Sequence, residues 1–448
     1  MGQIIAALDL GTFKSIAIVA RKDFSGKLSV LRTETLFSKD AIRRGRVYHL
    51  DEISDIISKL IRNLNDKPET MRVEKIYVGI GGQSLHTQSF SVKKVVEDRI
   101  VTQQLLDLIE KEANDYKPEF EKNFGIVSRE YYVDGQLVSN PKGTLASIIE
   151  ARFQLVAGNP CLKRNLDSVF REMDVSVADY FISPLATAEA VLTPEEKELG
   201  CALVEFGEGV TYISIYKNKT LKYMTTLPLG SLAITKDIRS LNVSEEEAEK
   251  LKIKYGSLLS DDDSDAVPVN ESHNLSRTIE LKNLNWIIEC RVNEIVMNIL
   301  NQIQISGYSQ MLNAGIVITG GGALLRNLPQ YIGNQTGKEV RLASAKMKVN
   351  QTETQLSPAD SCVVGLALLG KENCAKETLQ TTDIFGNEGI EVVEVDKKKK
   401  EKRKDKKEDS GIIKKGWTNF KTLFDDGADN LFERNESNNN KNKNETNK

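Results

Sequence analysis

Two stretches with the same arrangement, IIAALDLGTFKSIAIVA (4–20) and CALVEFGEGVTYISIY (201–216), decide the fold of this chain. In each stretch an apolar run ends in an acid, one apolar residue and a glycine, and a second apolar run follows a short turn. Apolar, β-branched runs on both sides of a glycine turn predict a β-hairpin. Asp9-Leu10-Gly11 and Glu205-Phe206-Gly207 stand in register 196 residues apart. This spacing predicts an internal duplication of one fold unit.

The segments around the hairpins predict the helices and strands that complete two α/β units. Four helices are predicted: after Pro184, over 244–255 with Ser244 as N-cap, over 281–306, and after Pro358. Residues 315–328 predict a strand, three glycines and a further helix, ALLRNL, before Pro329. The polar and acidic residues 257–274 predict a mobile loop.

The charge of the chain is divided unevenly. The 448 residues carry 61 Lys or Arg against 64 Asp or Glu, a formal charge of −3, and 40% of them are hydrophobic. This composition excludes collagen-like, wholly disordered and membrane-embedded proteins, and the length allows at least two cores. Residues 397–448 hold 16 basic and 10 acidic residues (+6), which leaves 45 and 54 (−9) in the first 396. Only the basic tail is therefore expected to bind an anionic surface.

Cysteine usage and the N-terminus favour a reducing compartment. The five cysteines and three histidines are scattered without a C-x-x-C pair, so we expect neither a zinc site nor a disulfide framework. The N-terminus enters a strand without a signal peptide, and no apolar run approaches the roughly 18 residues that span a bilayer. We expect a cytoplasmic protein whose membrane attachment, if present, is peripheral.

Two of the glycine turns are candidates for binding phosphate. Backbone N–H groups that no side chain covers bind phosphate oxygens well. In the first turn, the N–H groups from Gly11 to Ser15 would wrap the β- and γ-phosphates, with hydroxyls from Thr12 and Ser15 and the charge of Lys14. In the second turn, Gly207 and Gly209 would do the same from the opposite side.

Two carboxylates precede these turns. Asp9 and Glu205 each stand two residues before the turn glycine, so they are expected to face each other across a cleft. Mg²⁺ keeps several of its waters and takes few direct carboxylates. The pair is therefore predicted to hold the water shell of a Mg²⁺ ion.

A third turn, Gly320-Gly321-Gly322, is predicted to lie against the nucleoside and the α-phosphate. A single D-x-G hairpin or a lone triple glycine is a weak signal, and each is most often an ordinary turn. Two registered hairpins followed by strand, GGG and helix form a far more specific combination. The glycines of YVGIGGQ (77–83) are interpreted as a structural strand end, because no capped helix follows them.

At this point the chain resembles the actin, sugar-kinase and heat-shock-chaperone superfamily and, within it, the FtsA family of bacterial cell-division proteins. The resemblance covers roughly residues 3–370 and resumes at the C-terminal helix. Five stretches support it: ALDLGTFKSIAIVA (7–20), REYYVDGQLVSNPKGT (129–144), DYFISPLATAEAVLTPEEKELGCALVEFGEGVTYISIY (179–216), LPLGSLAITKDIRSLNVSEEEAEKLKIKYG (227–256) and ITGGGALLRNLP (318–329).

The resemblance implies an actin-like (ribonuclease H-like), duplicated, two-lobed ATPase fold of class α/β, with an inserted FtsA-type 1C subdomain. The implied parts are 1–82 with 166–200 and 358–370 (first lobe core, 1A), 83–165 (1C), 201–237 with 307–357 (second lobe core, 2A), 238–306 (2B), 371–410 (charged linker), 411–434 (membrane-targeting amphipathic helix) and 435–448 (disordered tail).

It also implies ATP and Mg²⁺ between the lobes, self-assembly into protofilaments, and a site in the second lobe, broadly 238–306, for the C-terminal peptide of the tubulin-like protein FtsZ. The chain would anchor FtsZ at the cytoplasmic face of the membrane at the division septum, with other division proteins as partners and no nucleic acid. Implied phosphate contacts are Asp9, Gly11, Thr12, Lys14, Glu205, Gly207, Gly209 and Thr211. Implied adenosine contacts are Glu249, Lys252 and Gly320 to Gly322, and Gly230 would line the cleft.

Two positions depart from the family pattern. The family usually has Asp where this chain has Glu205, which adds a methylene at the metal position. Phe13 stands where a small hydroxyl residue is common, which removes one side-chain contact to phosphate. Both changes fit weak hydrolysis, and we assign no catalytic residue.

Residues 411–434 predict an amphipathic helix that lies in a membrane interface. Its apolar residues follow steps of three and four, which gives one apolar stripe. The stripe contains Ile412, Ile413, Trp417, Phe420, Leu423, Phe424, Ala428, Leu431 and Phe432. Lys414, Lys415 and Lys421 exclude a spanning orientation. Lysines between 397 and 407 would add about 1 kcal/mol each near anionic lipid, and the alternative is a helix that docks on protein.

Three other protein classes share the predicted fold. A small-molecule kinase would need a closed substrate pocket and a catalytic base, and a membrane-targeting tail has no obvious use there. A pilus-assembly ATPase would not be expected to end in an amphipathic helix. A folding chaperone would need a peptide-binding domain after residue 370, and the remaining sequence is too short and too polar to form one.

Overall fold

The computed structural model describes residues 2–38, 40–66, 71–259, 265–269, 277–349, 352–377, 379–382 and 388–391. All of them belong to the first of the two units into which the chain divides, residues 1–393. The predicted amphipathic helix 411–434, the tail 435–448 and most of the linker 371–410 lie outside the described residues. None of the helices in the described ranges combines the length and apolar character needed to cross a membrane.

The first part of the chain forms strands around the first hairpin. Its central strands are buried on both faces, which explains their continuous apolar runs. The elements are β1 (Gln3–Leu10), β2 (Lys14–Lys22), β3 (Leu28–Phe37), β4 (Ile42–Arg43), β5 (Arg46–Val47), α1 (Leu50–Asn65), β6 (Met71–Val73) and β7 (Lys75–Ile80).

A separate antiparallel sheet follows, with strand order β10-β9-β11-β8 and its own apolar core. Its elements are β8 (His86–Ile100), α2 (Gln103–Asp115), β9 (Lys122–Val133), β10 (Gln136–Val138) and β11 (Leu145–Gly158). The chain then returns to the first sheet through α3 (Cys161–Phe170), β12 (Ser176–Ile182), α4 (Ser183–Val191) and α5 (Pro194–Leu199). The helix predicted at Pro184 is confirmed.

The second hairpin begins a second sheet that is flanked by the long helices. Its elements are β13 (Cys201–Phe206), β14 (Thr211–Lys217), β15 (Thr220–Leu227), α6 (Ser231–Ile238), α7 (Glu245–Tyr255), β16 (Ala266–Val269), β17 (Arg277–Glu280), α8 (Leu281–Ile305), β18 (Ile316–Thr319), α9 (Leu328–Thr336) and β19 (Val340–Leu342). The Ser244 hydroxyl caps α7 by accepting a hydrogen bond from Glu247 N. The predicted helices over 244–255 and 281–306 are therefore confirmed.

The two sheets have the same topology, which confirms the duplication. The first contains the order β12-β7-β1-β2-β3, and the second has the order β19-β18-β13-β14-β15. β1 pairs antiparallel with β2 and parallel with β7, and β13 pairs in the same way with β14 and β18. The register also repeats, because Leu10 lies opposite Ser15 and Phe206 lies opposite Thr211. We call these halves the first and the second lobe.

The chain ends its described part on the first lobe. α10 (Ser361–Leu369), the helix predicted after Pro358, packs against α4 and β1. The remaining strands are β20 (Lys346–Val349), β21 (Thr352–Gln355), β22 (Ala375–Glu377), β23 (Leu379–Thr382) and β24 (Glu388–Glu391). β22 pairs with β6, so residues 375–377 form a strand inside the range interpreted as linker.

Two secondary-structure predictions are wrong. ALLRNL (323–328) does not form an α-helix, because a short 3₁₀ helix ends at Leu324 and α9 begins only at Leu328, after Asn327 in the left-handed region. Pro329 then occupies the first turn of α9, where its missing N–H costs nothing. Within the predicted loop 257–274, residues 266–269 form β16 paired with β17.

Candidate functional site

The two hairpin turns close in the same way. Gly11 N donates to Lys14 O at 3.1 Å, and Gly207 N donates to Val210 O at 3.0 Å. A Cβ at either glycine would lie 2.8 Å from the carbonyl oxygen on the other side of its turn. Both positions therefore need glycine for the close approach of backbone, and the repeated turn is the duplicated unit that the sequence predicts.

Two hydroxyls assigned to phosphate are buried and already hydrogen-bonded. Ser15 Oγ lies 2.8 Å from Ser38 Oγ, and Thr211 Oγ1 donates to Leu229 O at 2.8 Å. Both residues are fully buried. Ser15 holds the segment that follows β3, and Thr211 holds the segment that follows β15. The structure therefore brings the backbone of these turns together but not these two hydroxyl groups.

The first turn meets the second turn directly. A Cβ on Gly209 would lie 2.5 Å from Thr12 Oγ1, so the two turns are in close contact. Lys14 Nζ forms an ion pair with Asp360 Oδ1 at 2.5 Å. The phenyl ring of Phe13 is 43% exposed and packs edge-on against Phe37. Thr12 therefore lies where the two lobes meet, and Lys14 of the same turn is paired within the first lobe.

The two predicted metal carboxylates share one electrostatic environment. Burial raises the pKa of Asp9, while the thiol of Cys362, which donates to Asp9 Oδ1 at 3.2 Å, opposes the shift. Burial and the nearby charge of Asp9 raise the pKa of Glu205 to about 8. Like charges that lie close together resist ionising together. The charge of Asp9 therefore acts on Glu205, although the two residues belong to different lobes.

The residues at this position fit a hydrated divalent cation. Glu205 Oε2 is buried and has no hydrogen-bond partner among the described residues, and a buried polar atom without a partner is costly. A Mg²⁺ ion would offset the charge of both carboxylates and its waters would supply donors to Oε2. No cluster of three or more His, Cys, Asp or Glu side chains placed to bind a metal occurs within the described ranges.

Behind the second turn, α6 and α7 are joined by a buried lysine. Lys252 Nζ donates to Glu249 Oε2 at 2.7 Å and to Thr235 Oγ1 at 2.8 Å. Burial and the neighbouring Glu249 raise the pKa of Glu208 to about 7. A Cβ on Gly230 would lie 2.2 Å from Glu208 O, so α6 begins directly against the second turn. The predicted adenosine residues Glu249 and Lys252 therefore both lie on α7, which Lys252 joins to α6, the helix that begins against the second turn.

The three glycines of the third turn have different surroundings. A Cβ on Gly320 would lie 2.5 Å from Phe206 O, and one on Gly322 would lie 2.9 Å from Phe206 Cγ. A Cβ on Gly321 would meet only Ala359 Cβ, at 3.7 Å. Gly320 and Gly322 therefore pack against the end of β13, and Gly321 presents its backbone to open space.

Comparisons with known proteins agree with this arrangement. Residues 202–365 match the family described as Cell division protein FtsA. The Cell division protein FtsA of Porphyromonas gingivalis (strain ATCC BAA-308 / W83) is 30% identical over 382 residues, which cover 84% of this chain and 80% of that protein. The chain belongs to the FtsA family. The FtsA of Escherichia coli (strain K12) is 24% identical over 388 residues, or 83% of this chain and 91% of that protein.

A solved structure shows that the fold extends beyond the FtsA family. A chain of the PilM-PilN type IV pilus biogenesis complex matches with a TM-score of 0.57 and 14% identity, over 81% of this chain and 97% of that one. At this identity the match shows the fold alone. Together with the duplicated sheets, it confirms an α/β, actin-like, two-lobed architecture for this member of the FtsA family.

Sequence reasoning missed the contacts that join the lobes of this FtsA-family chain. Gly82 N donates to the hydroxyl of Tyr212 at 2.7 Å, and a Cβ on Gly81 would lie 2.6 Å from that hydroxyl. Gly81 and Gly82 of YVGIGGQ thus contact a side chain of the second lobe. Their close spacing was the only available signal, since the partner lies 130 residues away.

Proposed function

We propose that this FtsA-family chain binds ATP and Mg²⁺ between its lobes and uses the nucleotide as a switch for assembly into protofilaments. The filaments would hold FtsZ at the cytoplasmic face of the membrane at the division septum, among other division proteins. The observation that carries the nucleotide part is the meeting of two duplicated glycine turns, each preceded by a carboxylate. Glu205 Oε2, one of these carboxylate oxygens, is buried without a hydrogen-bond partner among the described residues. Family membership supports the role in division.

Slow turnover suits such a switch better than a metabolic enzyme. Phe13 replaces a small hydroxyl residue in the first turn, and Glu205 is one methylene longer than the aspartate that the family usually has. Magnesium would neutralise phosphate charge, while this chain would position the phosphates with backbone N–H groups from both turns. We therefore propose a nucleotide-dependent scaffold with at most weak ATPase activity.

The amphipathic helix 411–434 is the proposed membrane anchor, and its removal tests this. A protein that ends at Ser410 keeps the lysines of 397–407 but loses Trp417, Phe420 and the rest of the apolar stripe. We expect the full-length protein to sediment with anionic liposomes and the truncated protein to lose at least tenfold in bound fraction, because burial of aromatic rings supplies most of the binding. Equal binding of both would contradict the anchor.

A full-length control separates the helix from general effects of truncation. Trp417→Glu with Phe420→Glu places two charges in the apolar stripe and leaves the length unchanged. This variant is expected to bind liposomes as poorly as the truncated protein. Lys441→Gln, beyond the helix, is expected to bind like the unmodified protein.

The exposed face of α8 is the proposed contact for the FtsZ peptide. Trp286 is 67% exposed and Met297 is 54% exposed, and Cys290 and Asn293 lie between them on the same face. Residues three and four apart share one side of a helix. Large exposed aromatic side chains are frequent anchors in protein interfaces, and this face lies within 238–306, where we expect the peptide.

Replacing Trp286 with alanine is expected to weaken binding of the FtsZ C-terminal peptide about tenfold or more. Fluorescence anisotropy with a labelled peptide would measure the affinity. Phe24→Ala is the matched control, since Phe24 is 92% exposed but lies in a turn of the first lobe. A peptide that binds the Trp286 variant and the unmodified protein equally would place the contact on another surface.

A further inference from the structure

A short hairpin with three arginines lies beside the two glycine turns. β4 and β5 pair Ile42 with Val47 and Arg43 with Arg46, and Arg44-Gly45 forms the connection. Both connecting residues have positive φ, +49° for Arg44 and +70° for Gly45. Such a connection favours Gly, Asn or Asp at both positions. Arg44 therefore occupies a position whose positive φ is unfavourable for an arginine. This points to a functional role for its side chain.

This hairpin contacts both of the turns proposed to bind phosphate. Gly45 N donates to Thr12 Oγ1 at 3.1 Å. A Cβ on Gly209 would lie 3.1 Å from the Cα of Arg44. A Cβ on Gly45 would lie 3.1 Å from the hydroxyl of Tyr212, which also comes from the second lobe. Three turns, two from the first lobe and one from the second, thus converge on Thr12.

The two phosphate turns and the strand ends before them are poor in positive charge. Over 9–14 and 205–210 the charged residues are Asp9, Glu205, Glu208 and one lysine, Lys14. Lys14 is already paired with Asp360. A nucleoside triphosphate carries about four negative charges at neutral pH, and a divalent cation offsets two of them. A further cation close to the terminal phosphate would balance the remainder.

The three arginines of the hairpin differ in their partners. Arg43 lies 4.3 Å from the ring centroid of Tyr48 and reaches Asp40 at 3.5 Å. Arg44 Nη1 donates to the amide oxygen of Gln83 at 3.3 Å, a neutral partner. Arg46 is half-buried, and its side chain makes no hydrogen bond or ion pair with any residue in the described ranges. A guanidinium without an acidic partner is available to bind an anionic ligand.

We infer that Arg46 and Arg44 bind the terminal phosphate of a nucleoside triphosphate at the junction of the three turns. The planar guanidinium offers two parallel donors to phosphate oxygens, which a lysine cannot. Because the diphosphate lacks this group, the arginines would give the site its preference for triphosphate over diphosphate. This inference rests on the proposed nucleotide site and adds the residues that distinguish its two ligands.

The test compares affinities for Mg²⁺-ATP and Mg²⁺-ADP by isothermal titration calorimetry with the full chain. Arg44→Asn tolerates positive φ, and Arg46→Gln keeps the length of the side chain without the charge. In the double variant we expect ATP affinity to fall at least tenfold, whereas ADP affinity changes less than twofold. Arg43→Ala is the matched control and is expected to change neither. Arg46→Lys, which keeps the charge and loses the fork, is expected to give a smaller loss for ATP.

Each other outcome would overturn the inference. An unchanged ratio of ATP to ADP affinity in the double variant, or an equal loss for both nucleotides, would mean that these arginines do not bind the terminal phosphate. The same loss in Arg43→Ala would indicate a general effect of hairpin charge. Failure of the unmodified protein to bind either nucleotide would instead remove the proposed site itself, and the inference with it. Thermal unfolding of each variant shows whether the fold is intact. The Arg46→Lys protein keeps the positive charge, so its affinity shows whether the guanidinium contacts themselves matter.

Discussion

Replacing Gly321 with aspartate is expected to abolish ATP binding while the protein stays folded. A Cβ at this position has room, since its nearest neighbour would be Ala359 Cβ at 3.7 Å. Gly321 also has no positive φ that would exclude a side chain. The added carboxylate would occupy the surface proposed for the nucleoside and would repel the α-phosphate. We expect a loss of at least about 100-fold in affinity, since a charged group meets a like charge where water is partly excluded.

Neighbouring glycines provide the controls for this prediction. Gly321→Ala adds only a methyl group and is expected to cost a small factor in affinity. Gly322→Ala is expected to lower the thermal unfolding midpoint instead, because its Cβ would lie 2.9 Å from the ring of Phe206. Calorimetric titration with ATP and thermal unfolding measure the two effects separately. Unchanged ATP affinity in Gly321→Asp would mean that the adenosine site lies elsewhere.

The duplicated core could be predicted from the sequence because its signals are local. Each hairpin carries its apolar strands, its acid and its turn glycine within 20 residues, and the second copy repeats them. The caps of α7 and the long apolar face of α8 are local in the same sense. Such patterns are predictive because few other structures would bury the same apolar residues with the same backbone geometry.

The errors arise where distant residues decide the structure. ALLRNL has helical composition, but Gly320 and Gly322 must pack against Phe206, which holds the following residues in a 3₁₀ turn. Ser15 carries a hydroxyl beside a phosphate turn, yet strand alternation directs it to Ser38. Side-chain direction depends on register with a strand that sequence spacing does not reveal.

Contacts between residues that are distant in the sequence were also beyond prediction. Tyr212 and Gly82 are 130 residues apart, and Lys14 and Asp360 are 346 apart. Cys362 lies against Asp9 because α10 returns to the first lobe after the whole second lobe has been formed. Contacts of this kind depend on single side chains and leave no periodic pattern in the sequence.

Replacing Glu205 with glutamine is expected to remove the dependence of ATP binding on Mg²⁺ and to stabilise the metal-free protein at alkaline pH. The folded protein holds a proton on Glu205 up to a pKa of about 8, whereas the ordinary value is 4.5. Between these values the folded state binds more protons than the unfolded state, so the free energy of unfolding falls as pH rises from about 4.5 to 8. Glutamine has no charge to bury. At pH 9 and without Mg²⁺ we expect it to raise the free energy of unfolding by about 2 kcal/mol.

Alkaline pH should lower the free energy of unfolding of the unmodified protein, and Mg²⁺ should raise it. A cation between Asp9 and Glu205 would offset the repulsion that raises the pKa of Glu205, so ATP with Mg²⁺ should restore the stability lost at pH 9. In Glu205→Gln, we expect ATP affinity to be at least tenfold less responsive to Mg²⁺, and Glu205→Asp should recover the response. Denaturant unfolding at pH 5 to 9 and titrations with and without Mg²⁺ measure both effects.

Glu208, in the second turn, also has a carboxyl whose pKa is raised. It serves as the control that separates the effect of a bound metal ion from the effect of burial alone. The pKa of Glu208 is raised to about 7, but its shift comes from burial and Glu249 rather than from Asp9. Glu208→Gln should therefore flatten the pH dependence of unfolding below pH 7 and leave the response to Mg²⁺ unchanged. If Glu208→Gln and Glu205→Gln weakened that response equally, the ion would not be held between the facing carboxylates. A loss confined to Glu205→Gln is the result expected for a cation held between Asp9 of the first hairpin and Glu205 of the second.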